Sequence, residues 1–367
     1  MRLLVLTDRL SAHGGADRHL AQVVQSAVAA GDQVTVAFGR DDRTTRPPEG
    51  TTGTRVRGLA SRTAGRSRLG GLADLLDAPE LVLVQNVMNP DALEAAAATG
   101  RAVITVQDHR VLCPGPGKTL PDGTACRQPM SDTPCTACLP DASYRRATLE
   151  LSERRLAAVR RCAAVVVLSS YMADELAAVG VDRAEVLPPW TEAGPARDAP
   201  GTRFVLGGRL VAHKGVGDGW QAWQAAGRPL PLTVVGAGPL EAGLDGTDRR
   251  GWLDPGPLAR LLREARALLF PARWQEPFGI LGVEALGQGT PVIVADSGGT
   301  RDWSDAGCLR VPPGDVTAMA AAIRRLADDP DLALELGRAG QRAVAARFSR
   351  ERIEPRLRPL HQRIAGG

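Results

Sequence analysis

The chain has 367 residues, 44% apolar and 23% charged, which describes a folded protein long enough for two domains and excludes a disordered one. A formal net charge of +4 is too small to argue for nucleic acid as a partner. No run approaches the ~18 apolar residues of a membrane span, and the opening "MRLLVLTDRL" is too short in apolar residues for a signal peptide.

A cytoplasmic protein is therefore expected, with membrane association not indicated and disulfides not assumed among its six cysteines. Basic residues are nearly all Arg; the only lysines are Lys118 and Lys214.

In chain order, "RLLVLTD" reads as a strand and "HGGADRH" as a glycine turn. "LAQVVQSAVAAG" reads as a helix and "QVTVAFG" as a second strand. This is a βαβ start. Residues 41–70, rich in Arg, Thr, Gly and Pro, read as a long surface loop. Further strands are expected at 81–86, 102–108 and 164–169, with helices between them.

"LPPWTEAGPARDAPG" (187–201) is dense in Pro, Gly and Ala and reads as an interdomain linker. A second series of strands follows at 203–210, 231–239, 249–253, 267–272 and 290–296. A helix-rich tail occupies roughly 315–364. The expected class is α/β, with two doubly wound Rossmann-like domains facing across a cleft. The domains are placed at 1–188 and 202–345, with a linker at 189–201. A helical tail at 346–367 returns to the first domain.

The stretch "WQEPFGILGVEALGQGTPVI" (274–293) holds two glutamates eight positions apart, Glu276 and Glu284. It lies between two apolar runs and reads as a crossover helix, with Pro277 at its first position and Gly287 and Gly289 at its end. On such a helix Glu276, Ile280 and Glu284 share one stripe, with the glutamates ~12 Å apart along the axis. Paired carboxylates that hydrolyse a glycosidic bond sit ~5–10 Å apart, so this pair would hold the two ends of an elongated ligand instead. Glu284, among apolar neighbours, needs donors; ribose hydroxyls and an arginine are the two candidates.

Other loops follow strands. "VLGGRLVAHKGV" (205–216) carries Arg209 and Lys214 on a Gly-rich loop suited to a diphosphate, or to solvent. Gly15 opens a helix N-terminus that favours anions. Gly236 lies in "VVGAGP", and the turn of Phe278, Gly279, Ile280 and Leu281 adds backbone N–H groups.

Taken in order, "GGRLVAHKGV", "VVGAGPLE", "FPARWQEPFGILGVEALGQGTPVIVADSGG" and "VPPGD" (311–315) resemble the family 4 glycosyltransferases, retaining enzymes of the GT-B fold. The C-terminal half is covered densely and the N-terminal "GGADRHL" more loosely. The resemblance implies transfer of a sugar from a nucleotide-diphosphate sugar to a hydroxyl acceptor, a small natural product or a saccharide, with no cofactor for catalysis.

It further implies that Glu276 contacts the donor sugar and Glu284 the ribose. Arg209 and Lys214 take the diphosphate, Gly15 approaches the phosphates, and Trp252 and Leu253 meet the base. The leaving phosphate would take the acceptor proton. A nucleotide-sugar epimerase and a silent GT-B binding subunit are the rival readings.

Two features depart from or add to the pattern. The family carries His-Asp after the strand ending "ITVQD"; here Gln107, Asp108 and His109 stand there. Either His109 moves into the role, or Gln107 serves as a neutral hydrogen-bonder while His109 braces the next loop.

The other is a Pro/Gly-rich loop with Cys113, Cys126, Cys135 and Cys138, spaced C-x12-C-x8-C-x2-C. Four thiolates ending in CxxC can close a structural zinc site, with disulfides or free thiols as alternatives. Lys118 within it could meet an acidic acceptor. Cys162 and Cys308 read as core residues.

Overall fold

The structure is a computed structural model, and residues 1–42, 45–63 and 69–366 are described. The chain forms two compact units. One comprises Met1–Pro121, Cys126–Pro188 and the C-terminal stretch from Glu354; the other comprises Asp122–Ala125 and Pro189–Ile353.

The first unit runs β1 (Arg2–Leu10), α1 (Gly15–Ala29), β2 (Gln33–Asp41), β3 (Thr51–Arg55), α2 (Leu72–Asp77) and β4 (Leu81–Gln85). It continues with α3 (Pro90–Ala98), β5 (Ala102–Val106), α4 (Asp132–Cys135), α5 (Ala142–Arg161), β6 (Ala164–Val167), α6 (Ser170–Ala177) and β7 (Ala184–Val186). Its seven strands lie in the order β3-β2-β1-β4-β5-β6-β7, all parallel.

Runs such as Leu81–Gln85 are buried throughout, as strands covered on both faces must be. Order reverses between β1 and β4, so the carboxyl ends of those strands mark the crevice where ligands bind in such sheets.

β3 lies inside the stretch expected as a loop. "TTGTR" has no apolar alternation to announce it, yet it pairs with β2 from Val34↔Thr51 onward. Residues 43–44 and 64–68 of that expected loop lie outside the described residues.

The second unit runs β8 (Arg203–Gly207), α7 (Val216–Ala225), β9 (Leu232–Val235), β10 (Asp248–Arg249), α8 (Pro255–Arg263), β11 (Ala265–Phe270) and α9 (Ile280–Gly287). It ends with β12 (Val292–Ala295), β13 (Cys308–Val311), α10 (Val316–Asp328), α11 (Pro330–Arg347) and the start of α12 (Arg350–Ala365). The sheet order β10-β9-β8-β11-β12-β13 is again all parallel, reversing between β8 and β11. Each unit has its own apolar core.

The remainder of α12 packs in the first unit. Arg358 pairs at 2.5 Å with Asp32, whose side chain is 1% exposed, and Arg356 donates to the Val186 carbonyl at 2.8 Å. Among the described residues no helix is long and apolar enough to cross a membrane.

The segment read as a linker is bound along the second unit. Thr191 and Gly194 donate backbone N–H groups to Phe348 O and Gly287 O. Arg197 is buried, and its Nη1 lies 2.9 Å from Ala265 O, 3.1 Å from Gly289 O and 3.0 Å from Thr290 Oγ1. Burial pulls its guanidinium down to about 10. The side chain thus staples three strand and helix ends.

Arg197→Met would strand these acceptors in the interior. We expect a loss of ~2–4 kcal/mol, which lowers the calorimetric transition of this unit by several degrees. An unchanged transition would refute the staple.

Candidate functional site

The second unit assembles one polar cluster at its switch point. β8 ends at Gly207, and a short 3-10 turn (Ala212–Lys214) carries the chain to α7. β11 ends at Phe270, and an irregular turn carries the chain to α9.

The two turns are locked together through backbone. The His213 carbonyl accepts the N–H groups of Arg273 at 3.0 Å and Trp274 at 3.2 Å. Gly215 has φ +68, and a Cβ there would stand 1.7 Å from the Pro271 carbonyl oxygen, so only glycine fits. Behind the second turn, Gly299 donates to the Glu276 carbonyl at 2.7 Å, and a Cβ on Gly298 would lie 2.5 Å from the same oxygen.

This frame brings Lys214 and Glu276, sixty-two positions apart, to an Nζ–Oε2 distance of 2.7 Å. Trp274 Nε1 donates to the same oxygen at 2.8 Å, and the ammonium sits 4.6 Å from the Trp274 ring centre. The Glu276 side chain is 7% exposed and that of Lys214 19%. Burial pulls the Lys214 ammonium below its ordinary value; Glu276 opposes this and Arg209 adds to it. Burial, with Arg209 and Lys214 beside it, pushes His213 down to about 4, so the ring is neutral near pH 7. Its Nε2 lies 3.4 Å from Arg209 Nη2, and its ring stacks tilted on Trp274 at 4.7 Å.

The crossover helix begins later than its spacing implies. α9 starts at Ile280, with Gly279 in the left-handed region (φ 90) as N-cap and no side-chain cap. Pro277 is not its first residue, and Glu276 lies in the turn before it. The ~12 Å helical separation is thereby corrected, because the backbone leaves the helix at Gly279.

The late start has a physical cause. Trp303, 1% exposed, donates from its indole to the Phe278 carbonyl at 2.6 Å and holds the turn open. Glu284 stands half-buried in the second turn of α9, and Gly289 follows the helix at φ 71. The N–H groups of Ile280 and Leu281 open the helix, whose positive end favours negative charge. Gly236, at the end of β9, donates to the Gly251 carbonyl at 2.7 Å and so joins the loop that carries Leu253.

In the first unit, Gly15 is the first residue of α1, whose N-cap Gly14 supplies no side-chain bond. Gln107 follows β5. Its Nε2 lies 2.7 Å from Nδ1 of His19, and burial pushes His19 down to about 4. His109 is buried, with Nε2 3.0 Å from the Tyr171 hydroxyl.

Asp108 caps the 3-10 turn His109–Val111 and binds Arg110 through backbone and side chain. Burial would raise its carboxyl, but Arg110 holds it below the usual range. Of the three, Gln107 takes the position at the strand end, and His109 and Asp108 brace the loop.

The four loop cysteines are all half-buried. Among the described residues no group of three or more His, Cys, Asp or Glu is placed to hold a metal ion, so the zinc expectation for Cys113, Cys126, Cys135 and Cys138 finds no support here, although Cys113 and Cys126 lie near enough to add to the burial that raises the Cys135 and Cys138 thiols. The thiols have local backbone neighbours instead. Cys113 Sγ faces the Lys118 N–H at 3.4 Å, Cys126 Sγ faces the Gln128 carbonyl at 4.0 Å, and Cys138 Sγ faces the Thr119 carbonyl at 3.8 Å. All six cysteines are unpaired. Lys118 is buried, with Nζ 3.1 Å from Glu175 and 3.0 Å from the Gln128 carbonyl, and so braces this loop. Cys162 is a core residue, and Cys308 is half-buried on the edge strand β13.

Two family models match the chain: the glycosyl transferase 4-like domain over residues 14–190, and the glycosyl transferases group 1 model over residues 201–329. The chain belongs to the group 1 glycosyltransferases.

Within this family it is 33% identical over 156 residues to glycogen synthase of Mycobacterium tuberculosis, covering 38% of this chain and 37% of that one. It is 31% identical over 227 residues to 2-deoxystreptamine glucosyltransferase of Streptomyces kanamyceticus, covering 52% and 58%. The matches therefore span about a third to three fifths of the length of these curated relatives.

The fold is GT-B. HepE of Anabaena in complex with UDP and glucose superposes with a TM-score of 0.70 at 16% identity, covering 98% of this chain and 99% of that one. Sucrose-phosphate synthase of Thermosynechococcus elongatus gives 0.70 at 20% identity, covering 100% and 99%.

Sequence reasoning passed over Trp274, His213 and His19. Trp274 was hidden because an indole in an apolar run reads as core. His19 carried a signal, since it shares the buried stripe of Val23 and Ala27 on α1.

Gly215→Ala tests the joint between the two turns. Positive-φ strain and the backbone clash should cost roughly 2–4 kcal/mol, and the Arg273 and Trp274 amides should lose hydrogen-exchange protection. Retained protection at both amides would show that the joint does not depend on Gly215.

Proposed function

We propose that this glycosyltransferase moves a sugar from a nucleotide-diphosphate sugar to a hydroxyl acceptor, with retention at the anomeric carbon. The observation that carries the reading is the meeting of Lys214 and Glu276 at 2.7 Å at the switch point, beside an uncapped helix N-terminus. An ammonium, Arg209 and a helix end together suit a diphosphate; a buried carboxylate beside them suits sugar hydroxyls.

In this reading Lys214 and Arg209 neutralise the charge that grows on the departing nucleoside diphosphate, so the residues supply what a divalent cation supplies elsewhere. The helix N-terminus at Ile280 and Leu281 adds N–H donors. Glu276 accepts from the sugar hydroxyls and favours positive charge at the anomeric carbon. Glu284 accepts from the ribose, and Gly236 and Leu253 border the base. The glycosidic C–O bond to the diphosphate breaks, the acceptor oxygen bonds to the same face, and the leaving phosphate oxygen takes the acceptor proton.

In this reading the first unit selects the acceptor, and Gly15, at the N-terminus of α1, offers backbone N–H groups suited to an anion. A small natural product or saccharide is the acceptor class, supported by similarity to the 2-deoxystreptamine glucosyltransferase. A complex of HepE with UDP-glucose supports UDP as the first nucleotide to try.

Thermal melting against UDP, GDP, ADP and dTDP tests the donor site. A nucleotide at ~100 times its dissociation constant should stabilise the protein by ~2.7 kcal/mol, a shift of a few degrees. Glu284→Ala should lose most of that shift, with affinity falling by ~1.5–3 kcal/mol. If no nucleotide moves the wild-type transition, the reading fails.

Glu276→Ala should cut turnover by roughly 10²-fold or more while nucleotide affinity stays within a few-fold. Full turnover in this variant would remove Glu276 from its assigned role.

A further inference from the structure

Glu276 is held by one oxygen only. Oε2 takes both donors, Lys214 Nζ at 2.7 Å and Trp274 Nε1 at 2.8 Å, and Oε1 makes no hydrogen bond among the described residues. A diphosphate that draws Lys214 toward itself removes one of these two donors. A carboxylate as buried as Glu276 cannot lose its last donor without a large desolvation cost.

The remaining donor is built to stay. The Trp274 backbone N–H bonds the His213 carbonyl at 3.2 Å, and its ring packs on His213 at 4.7 Å. Its neighbour Arg273 is itself clamped, with Nη2 2.6 Å from Asp218. An indole also has no second charge state and no competing affinity for phosphate as strong as an ammonium's.

We infer that Trp274 is the positioning residue for Glu276: its indole N–H keeps Oε2 fixed while Lys214 turns to the diphosphate, so that Oε1 stays aimed at the ligand's hydroxyls. The inference rests on the reading of the site given above. Lys214 and Trp274 share one acceptor atom, so either can hold the carboxylate, and only the lysine carries a charge that a diphosphate attracts. The ring beneath the ammonium, 4.6 Å away, gives Lys214 a resting place in the free enzyme.

The full-length protein labelled with nitrogen-15 tryptophan gives six indole signals, one for each Trp in the chain. Trp274→Phe deletes and thereby identifies the relevant one. Glu276→Gln should shift this signal toward that of a weakly bonded indole. Lys214→Met, and saturation with whichever of UDP, GDP, ADP or dTDP binds, should leave it hydrogen-bonded and protected from exchange. A signal indifferent to Glu276→Gln, or released on nucleotide binding, overturns the inference. If none of the four nucleotides raises the melting temperature, with Glu276→Gln still moving the signal, the reading of the site beneath the inference is overturned instead.

Turnover of the matching nucleotide-glucose gives the functional arm. Trp274→Phe should lower kcat ~10–100-fold with the donor KM within about twofold. Trp274→His, which retains an N–H donor, should recover part of the loss. A joint rise in KM and fall in melting temperature, with no change in kcat, would mark a purely structural tryptophan and overturn the assignment.

Discussion

A carboxylate that is 7% exposed imposes its terms on everything around it. Water no longer serves it, so protein donors must reach it with good geometry. Two of them come from turns that are far apart in the chain, and this forces the turns after β8 and β11 into register. The His213 carbonyl, the glycine at 215 and the close approach of Gly298 to Glu276 all follow from that demand. The parallel sheet supplies the setting, because its strand order reverses between β8 and β11 and leaves their carboxyl ends side by side. Charge sets the character of the cluster: the cations of Arg209 and Lys214 stand beside the buried carboxylate of Glu276.

The same physics runs through the framework in another form. Arg155, Arg197 and Arg266 are buried and donate to backbone carbonyls, with no carboxylate bonded to any of their guanidinium groups among the described residues. Arg155 and Arg197 are pulled down to about 10 by burial and by neighbouring arginines. Each planar guanidinium answers several carbonyls at once, work that a lysine's single ammonium cannot do with the same geometry. In a chain with only two lysines, much of the arginine is therefore interior architecture and says little about partners.

The strongest strands were legible because their apolar runs are continuous. β1, β4 and β11 sit where "RLLVLTD", "LVLVQN" and "ALLFPA" place them. The edge strands β3, β7 and β13 were not, since "TTGTR", "AEV" and "CLRV" are short and half-exposed, and only a neighbour makes them strands. At the site, Glu276, Lys214 and Arg209 announced themselves as polar residues at strand ends. The start of α9 did not, because Pro277 satisfies the local rule for a first helical residue while tertiary contacts from Trp303 overrule it. The exchange of the family's histidine for Gln107 was visible in the sequence. Its partner His19, eighty-eight positions away, was not, because a buried bond between a helix and a strand end leaves no trace in spacing.

The second half of α12 has a consequence for descent. The first unit is written in separate pieces of the gene, and its last piece, from Glu354, lies beyond the whole of the second unit's main stretch. A single recombination event near residue 188 would give the offspring a first unit from one parent and a terminal helix from the other. Arg358 and Asp32 would then come from different ancestors, and so would Arg356 and the Val186 carbonyl it meets. Lineages that exchange N-terminal halves must carry the tail along, through a double crossover, or adapt both surfaces afterwards. The tail is thus inherited with the half of the sequence from which it is most distant.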